Sequence, residues 1–173
     1  MSYRNKTYVA FASEDISSYR LMEAWRENKH IDFDFFDAHD LYAARDTSTP
    51  ETIRDRLRQR LNNAKQVVVL VSDITRPKAA RASSFLHYEI ETIARLGLPV
   101  VFANINGQRI IQTSELPTTL ADPYYTMSVS LQPAIIKYAL NEYVPNFIAN
   151  KTSTSPKEGP YYYKPYVYTQ LGL

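Results

Sequence analysis

Residues 66–72 read Gln-Val-Val-Val-Leu-Val-Ser, a run of five consecutive apolar residues without a charged side chain. A strand with one solvent-exposed face alternates apolar and polar residues, whereas a continuous apolar run is typical of a strand that is buried on both faces. Residues 98–105, Leu-Pro-Val-Val-Phe-Ala-Asn-Ile, have the same character. We therefore predict that 66–72 lies at the centre of a parallel sheet and that 98–105 is a second buried strand.

Segments with helical spacing of apolar residues alternate with further short strands on both sides of this centre. The predicted strands are Thr7–Ala12, Asp32–Asp37, Gln66–Ser72, Leu98–Ile105 and Thr126–Val129. The predicted helices run from Asp15 to about Glu27, from Thr49 to about Ala64, from about Ser84 to Leu96, and from Ser130 to about Pro145. Such alternation predicts an α/β protein, a flavodoxin-like three-layer sandwich with a mostly parallel five-stranded sheet.

Local signals add detail to the predicted helices. Asp15 is expected to cap the first helix, and Ser130 is expected to cap the last. The inward face of the first helix is expected to include Leu21, Met22 and Trp25. Before the helix at 84–96, residues 75–82 are predicted to form a basic loop.

The scarce residue types exclude several classes of protein. The 173 residues, enough for about one domain, contain no Cys, so disulfides, thiolate nucleophiles and Cys-based metal sites are excluded. Three His, far apart in sequence, give no HExxH pair, and four Gly exclude both a GxGxxG fingerprint and a Walker loop. No metal is therefore expected. A net charge of +2 is too small to indicate nucleic-acid binding.

The two ends of the chain differ from the middle in composition. The N-terminus lacks the apolar stretch of a signal peptide, and no apolar run approaches a membrane span, so we expect a cytoplasmic protein without membrane contact. Residues 151–160 resemble a linker, and residues 161–168 contain five Tyr. We therefore expect a domain at 1–150 and a Tyr-rich extension at 151–173, which folds back on its own domain or docks on a partner subunit or a ligand.

Several motifs, taken together, resemble the TIR domain family. Phe85-Leu86-His87-Tyr88-Glu89-Ile90 is similar to the W-x-x-x-E-[IL] signature of these domains. The similar stretches around it, in the family's order, are residues 34–41 (second strand and start of the BB loop), 53–72 (helix and strand before the signature) and 97–101 (Gly-Leu-Pro-Val-Val after it). The likeness covers about residues 5–145 and is greatest to the TIR-like branch found in bacterial antiphage systems of the Thoeris type.

The resemblance implies an enzyme that cleaves NAD at the nicotinamide–ribose bond, by hydrolysis or by transfer of ADP-ribose to form a cyclic or related signalling nucleotide. It assigns the catalytic role to Glu89. NAD is then the substrate, and no cofactor is expected. Because the chain has no effector domain of its own, we expect the nucleotide product to activate a separate effector protein in antiphage defence. Assembly into a homo-oligomer stays open.

A single carboxylate suffices for this chemistry. The nicotinamide ring of NAD is already cationic and leaves as a neutral base without a general acid. A fixed carboxylate near the ribose then stabilises the oxocarbenium-like transition state electrostatically. Glu89 is about a quarter-turn from the apolar stripe that includes Leu86 and Ile90, at a helix edge that we expect to face the carboxyl ends of the strands.

Further candidate residues for nucleotide binding lie near the carboxyl ends of the predicted strands or on the same side of the helix as Glu89. They are Phe11, Ala12, Ser13, Asp37, His39, Asp40 and Phe85. Ser13 either hydrogen-bonds the nucleotide or forms an ST turn, and Asp40 either bonds a ribose hydroxyl or forms an Asx turn. Phe85 is either an aromatic wall for nicotinamide or a residue of the core.

Two other interpretations stay open at this stage. The divergent sequences of the first loop and the BB loop favour a non-catalytic TIR-like module that signals through its surfaces. A nucleoside deoxyribosyltransferase-like enzyme also attacks an N-glycosidic bond with a carboxylate. A phosphoacceptor receiver domain shares the order of elements and fits less well, because no Lys lies near Val129.

Overall fold

The computed structural model describes residues 2–35 and 49–173, and within these ranges five strands form one sheet. The strands are β1 (Thr7–Ala10), β2 (Gln66–Val71), β3 (Val100–Asn104), β4 (Thr126–Ser130) and β5 (Pro160–Tyr162). They lie in the order β1-β2-β3-β4-β5, and every neighbouring pair is parallel. Every residue of β2 and β3 is buried, which confirms that residues 66–71 form a strand in the interior of a parallel sheet, although β2 is the second strand in the described order and not the central one.

Six helices of the described ranges cover the two faces of this sheet. They are α1 (Ile16–Glu27), α2 (Pro50–Asn63), α3 (Thr75–Ala80), α4 (Phe85–Leu96), α5 (Pro133–Asn150) and α6 (Pro165–Gln170). Side chains of α1, α5 and α6 pack on one face, and those of α2, α3 and α4 pack on the other. The chain is therefore a flavodoxin-like three-layer α/β sandwich, as predicted. Among the described residues, no helix has both the length and the apolar character needed to cross a bilayer.

The ends of α2 and α4 follow the local sequence signals. Thr49 precedes α2 and its side chain accepts a hydrogen bond from the backbone N–H of Thr52, while Pro50 occupies the first turn. Ser84 caps α4 by accepting from the backbone N–H groups of the second and third helical residues. Gly97 ends α4 with φ of 63°, a left-handed conformation that glycine adopts without strain. The predicted helix at 84–96 is thereby confirmed.

The predicted strand at Asp32–Asp37 is wrong where the structure describes it. Residues 32–35 form no strand, although Phe33 and Phe35 are buried and the two Asp between and before them are exposed. The ring of Phe33 packs edge-on against Trp25 of α1, with ring centroids 5.9 Å apart. The alternation of Asp and Phe therefore reflects an extended segment with one buried side, and Pro160–Tyr162 supplies the fifth strand of the sheet instead.

One prediction about α1 is wrong and another is wrong in part. The side chain of Asp15 makes no cap hydrogen bond, because its carboxylate accepts a hydrogen bond of 2.7 Å from the Ser72 hydroxyl instead. The predicted inward face is wrong for Leu21, which is 45% exposed, but it is confirmed for Met22, which is fully buried, and Trp25 packs partly buried against the same core.

Two further local predictions fail in the loops next to α3 and α5. Residues 75–80, predicted as part of a basic loop, form the short helix α3. Gln132, rather than Ser130, precedes the first residue of α5. The Ser130 hydroxyl donates to the side-chain carbonyl of Gln132, so it is engaged outside the helix.

The Tyr-rich extension packs against the same core as the sheet. Strand β5 pairs with β4, with Tyr161 opposite Met127. The buried ring of Tyr168 reaches the end of β4, where its hydroxyl oxygen accepts a hydrogen bond of 3.1 Å from the backbone N–H of Ser130. Val167 is also buried in this core. The extension therefore folds back on its own domain and contributes to its stability.

We predict that Tyr168→Phe destabilises the protein by about 1–3 kcal/mol, because it leaves the buried N–H of Ser130 without this acceptor. The matched control is Tyr166→Phe, since Tyr166 lies on the same helix with 63% of its surface exposed. Urea unfolding followed by circular dichroism measures both variants. Equal midpoints for Tyr168→Phe and Tyr166→Phe would contradict the prediction.

Candidate active site

The carboxylate of Glu89 is buried between α4 and β1. Only 4% of the residue is exposed, and the hydroxyl of Tyr8 donates to its Oε2 atom over 2.5 Å. Tyr8 is itself only 2% exposed. Glu89 therefore lies inside the layer formed by the sheet and α4, not on the solvent side of the helix.

This hydrogen bond joins two elements that are distant in sequence. Tyr8 and Glu89 are 81 positions apart, and strand β1 is fixed beside β2 with Tyr8 opposite Val67. A buried carboxylate is strongly destabilising unless it is paired or hydrogen-bonded, so the phenol is needed to offset its burial. A fixed and desolvated carboxylate is also the arrangement that stabilises a developing positive charge most strongly.

A cavity of about 220 Å³ lies beyond the carboxyl end of β1 and at the start of α4, and neither Tyr8 nor Glu89 is among the residues that form its wall. Four of the predicted binding residues share its wall with residues of α3 and of the loop after it. The wall is formed by Phe11, Ala12, Ser13, Lys78, Arg81, Ser83, Ser84, Phe85 and Leu86. The other three predicted binding residues, Asp37, His39 and Asp40, lie outside the described residues.

The cavity and the Glu89 carboxylate occupy the same layer of the molecule. Phe85 and Glu89 are four residues apart on α4, so their side chains lie on one face of the helix, about 5–6 Å apart at their Cβ atoms. Ala12 of the cavity wall and Tyr8 belong to the same apolar cluster between β1 and α4. Glu89 therefore lies one helical turn along α4 from Phe85, the aromatic residue of α4 in the cavity wall.

The first-loop candidates differ in their surroundings. Phe11 is buried and its ring stacks on Tyr19, with centroids 4.8 Å apart and planes within 16°. Ser13 is exposed, and its hydroxyl lies 3.4 Å from a carboxylate oxygen of Glu14. The sequence left open whether Phe85 lines a binding site or packs in the core. The structure shows both, because Phe85 is partly buried against the core and also lines the cavity.

Charged groups of both signs surround the entrance of the cavity. The ammonium of Lys78 lies 2.7 Å from the carboxylate of Glu14, and its hydrogen bond lowers the pKa of Glu14 below the ordinary value. Burial raises the pKa of Asp15, against a smaller opposing effect of the hydrogen bond from Ser72. The neighbouring charges of Glu14 and Asp73 raise the pKa of Asp15 further.

Two other ionisable residues of α4 point away from the cavity. The Nδ1 atom of His87 lies 2.6 Å from the backbone carbonyl of Ala79, which directs the ring toward α3. Glu91 is on the opposite flank of the helix, where it accepts a hydrogen bond of 2.6 Å from Thr119. Within residues 2–35 and 49–173, no group of three acidic or His side chains is placed to hold a metal ion.

Sequence reasoning missed Tyr8, Lys78, Arg81 and Ser84 as parts of this region. The period of two along a strand places residues 8 and 12 on one face, which is the signal that could have identified Tyr8. Basic residues were noted at 75–82, but α3 was not predicted, and it is α3 that brings Lys78 to the cavity.

Comparison with protein families gives a match to one family model, described as the TIR-like domain of the Thoeris protein ThsB, over residues 8–110. The matched range is more than half of the chain and includes all nine residues of the cavity wall. It also contains both Tyr8 and Glu89.

We predict that Asp15→Asn raises the melting temperature at pH 7. The pKa of Asp15 is raised on folding, so the folded chain holds this proton more tightly and the charged form is destabilising above that pKa. Asn removes the charge and keeps an oxygen to accept from Ser72. The difference from wild type should shrink as the pH falls through the raised pKa of Asp15 toward the ordinary value for an Asp carboxyl, because the folded wild-type chain then carries the proton and the charge is gone. Calorimetry between acidic and neutral pH measures it, and a difference that grows toward low pH would contradict it.

Proposed function

The chain belongs to the Thoeris ThsB family of TIR-like domains, and from this membership we propose that it cleaves the nicotinamide–ribose bond of NAD, with Glu89 as the catalytic carboxylate. The observation that carries the proposal is the buried carboxylate of Glu89, held by Tyr8 and one helical turn along α4 from Phe85 of the cavity wall. The nucleotide product then acts as a signal to a separate effector protein in antiphage defence.

Cleavage needs stabilisation of positive charge and little else from the protein. The bond between ribose C1′ and the ring nitrogen breaks, and its electron pair stays with nicotinamide, which leaves neutral. The ribose carries the developing oxocarbenium charge, which the fixed carboxylate of Glu89 stabilises. Water then bonds to C1′ and releases a proton to give ADP-ribose, or a nitrogen of the adenine attacks C1′ to give a cyclic product.

The cavity wall suits the other parts of a dinucleotide. Phe85 offers an aromatic surface to the nicotinamide ring, and Lys78 and Arg81 supply cationic groups to the pyrophosphate. Three Ser hydroxyls of the wall provide further hydrogen-bonding groups. The nicotinamide riboside end is assigned to the Phe85 side of the cavity, because Phe85 lies one helical turn from Glu89 on α4.

We predict that Glu89→Gln lowers the release of nicotinamide from NAD by about 100-fold or more, because the amide keeps the shape but loses the charge. Purified protein is incubated with NAD, and free nicotinamide and the nucleotide product are separated by chromatography. The same separation distinguishes linear ADP-ribose from a cyclic product.

Glu91→Gln is the matched control, since it removes the same charge from the exposed flank of the same helix and should leave the rate unchanged. A Glu89→Gln protein that is folded and fully active would overturn the assignment. Wild-type protein that releases no nicotinamide, even when concentrated or given a phage lysate, would favour a non-catalytic module. Release of base from a deoxynucleoside but not from NAD would indicate the transferase-like chemistry.

We also predict that Arg81→Gln raises the KM for NAD about 10-fold with little change in kcat. A charge-assisted hydrogen bond to phosphate contributes about 1.5–3 kcal/mol, and the pyrophosphate is remote from the bond that breaks. Arg95→Gln is the control, because Arg95 is exposed in the last turn of α4, away from the cavity. Initial rates over a range of NAD concentrations test this, and equal KM values for the two variants would exclude Arg81 from binding.

A further inference from the structure

We propose that Tyr8 is a positioning residue for the reaction, which holds the Glu89 carboxylate in its catalytic orientation without itself touching the reacting atoms. The inference rests on the proposed function, because it assigns a role to the partner of the proposed catalytic group. Its evidence is separate, since it comes from the contact between β1 and α4.

The geometry of the contact is that of a strong and specific hydrogen bond. The phenol oxygen of Tyr8 lies 2.5 Å from Oε2 of Glu89, and both side chains are almost fully buried. Bonds between a hydroxyl and a carboxylate of this length belong to the stronger class of charge-assisted hydrogen bonds. The bond engages the Oε2 atom of the carboxylate.

The position of Tyr8 in the sheet makes it a rigid support. The backbone of β1 pairs with β2 on both sides of residue 8, with Thr7 opposite Gln66 and Val9 opposite Val68. The side chain of Gln66 also donates to the Thr7 hydroxyl over 2.8 Å, inside the protein. Tyr8 is therefore anchored by a paired strand of the sheet and not by a surface loop.

A rigid support of this kind limits the conformational freedom of the Glu89 side chain, which would otherwise lower its effectiveness as a catalytic group. A Glu side chain has three rotatable bonds, and its carboxylate is useful only when it stays at a fixed distance from the ribose. The helix fixes the backbone of Glu89, and the bond from Tyr8 fixes the far end of the side chain. Two rigid elements thus define the position of the charge before the substrate arrives.

The test is Tyr8→Phe, which removes the hydroxyl and keeps the ring in the core. We expect kcat for nicotinamide release to fall between about 10- and 100-fold while KM stays unchanged, because binding groups are intact and only the orientation of Glu89 is lost. In a Glu89→Gln background, the same change should have no further effect on kcat. A second variant, Glu89→Asp, keeps the charge but shortens the side chain away from Tyr8, and a similar loss of kcat is expected.

Tyr143→Phe is the control for loss of a buried hydroxyl. The Tyr143 hydroxyl donates to the backbone carbonyl of Tyr125 and accepts from the backbone N–H of Val100, away from the cavity. This variant should lower the melting temperature without changing kcat. A merely structural Tyr8 would behave in the same way, so the contrast in kcat between the two Tyr variants separates the roles.

The outcomes distinguish this inference from the proposed function. Wild-type protein that releases no nicotinamide overturns both. Wild-type activity with an unchanged or increased kcat in folded Tyr8→Phe overturns the positioning role alone. If Tyr8→Phe does not fold, Glu89→Asp is the second test: a wild-type kcat in that variant, whose shorter side chain is withdrawn from Tyr8, overturns the inference.

Discussion

Burial of a parallel sheet on both faces is the constraint on which the rest of the structure depends. Strands β2 and β3 expose none of their residues, so each must be covered by a helical layer above and below. Parallel strands need long connections between them. Because the strands run in the same direction, their carboxyl ends all lie at one edge of the sheet. The cavity beside Ser13 and Ser84 lies where β1 ends and α4 begins, and it is a direct consequence of this arrangement.

The same constraint explains which elements were predictable from the sequence. Central strands and amphipathic helices bury fixed faces, so their periodicity and the caps at Ser84 and Gly97 identify them locally. Segments at the edges of the sheet lack such a periodic pattern of buried residues. The Asp–Phe alternation at 32–35 is the pattern of an edge strand, yet Phe33 is buried against α1 without strand pairing. Strand β5 begins at Pro160 after a linker-like stretch, and only its contact with β4 defines it as a strand.

The Tyr-rich extension folds back on its own domain, which is one of the outcomes expected from its composition, but composition does not identify which of its residues are buried. Its residues bury side chains such as Tyr168 in the core while leaving Tyr166 exposed, so the segment is half core and half surface. Tyr is suited to this, because a large apolar ring can be buried while its hydroxyl satisfies a backbone group. The hydroxyl of Tyr168 does so at Ser130, at the end of a strand that the sequence predicts well. Long-range packing, and not local propensity, determines which side chains of the last twenty residues are buried.

The residues of the candidate site also differ in how well the sequence predicts them. The position of Glu89 on its helix can be predicted locally, whereas its contact with Tyr8 cannot. Helix periodicity separates Glu89 from Glu91 and predicts that Glu89 lies at a helix edge facing the carboxyl ends of the strands. The structure instead buries Glu89 against Tyr8, the second residue of β1. The partner of Glu89 has no local signature, because Tyr8 is 81 positions away and its alignment depends on the register of β1 against β2. A carboxylate so deeply buried is unfavourable for stability without its hydrogen bond. The Tyr8 hydroxyl is therefore as much a part of the stability of this layer as the apolar contacts around it.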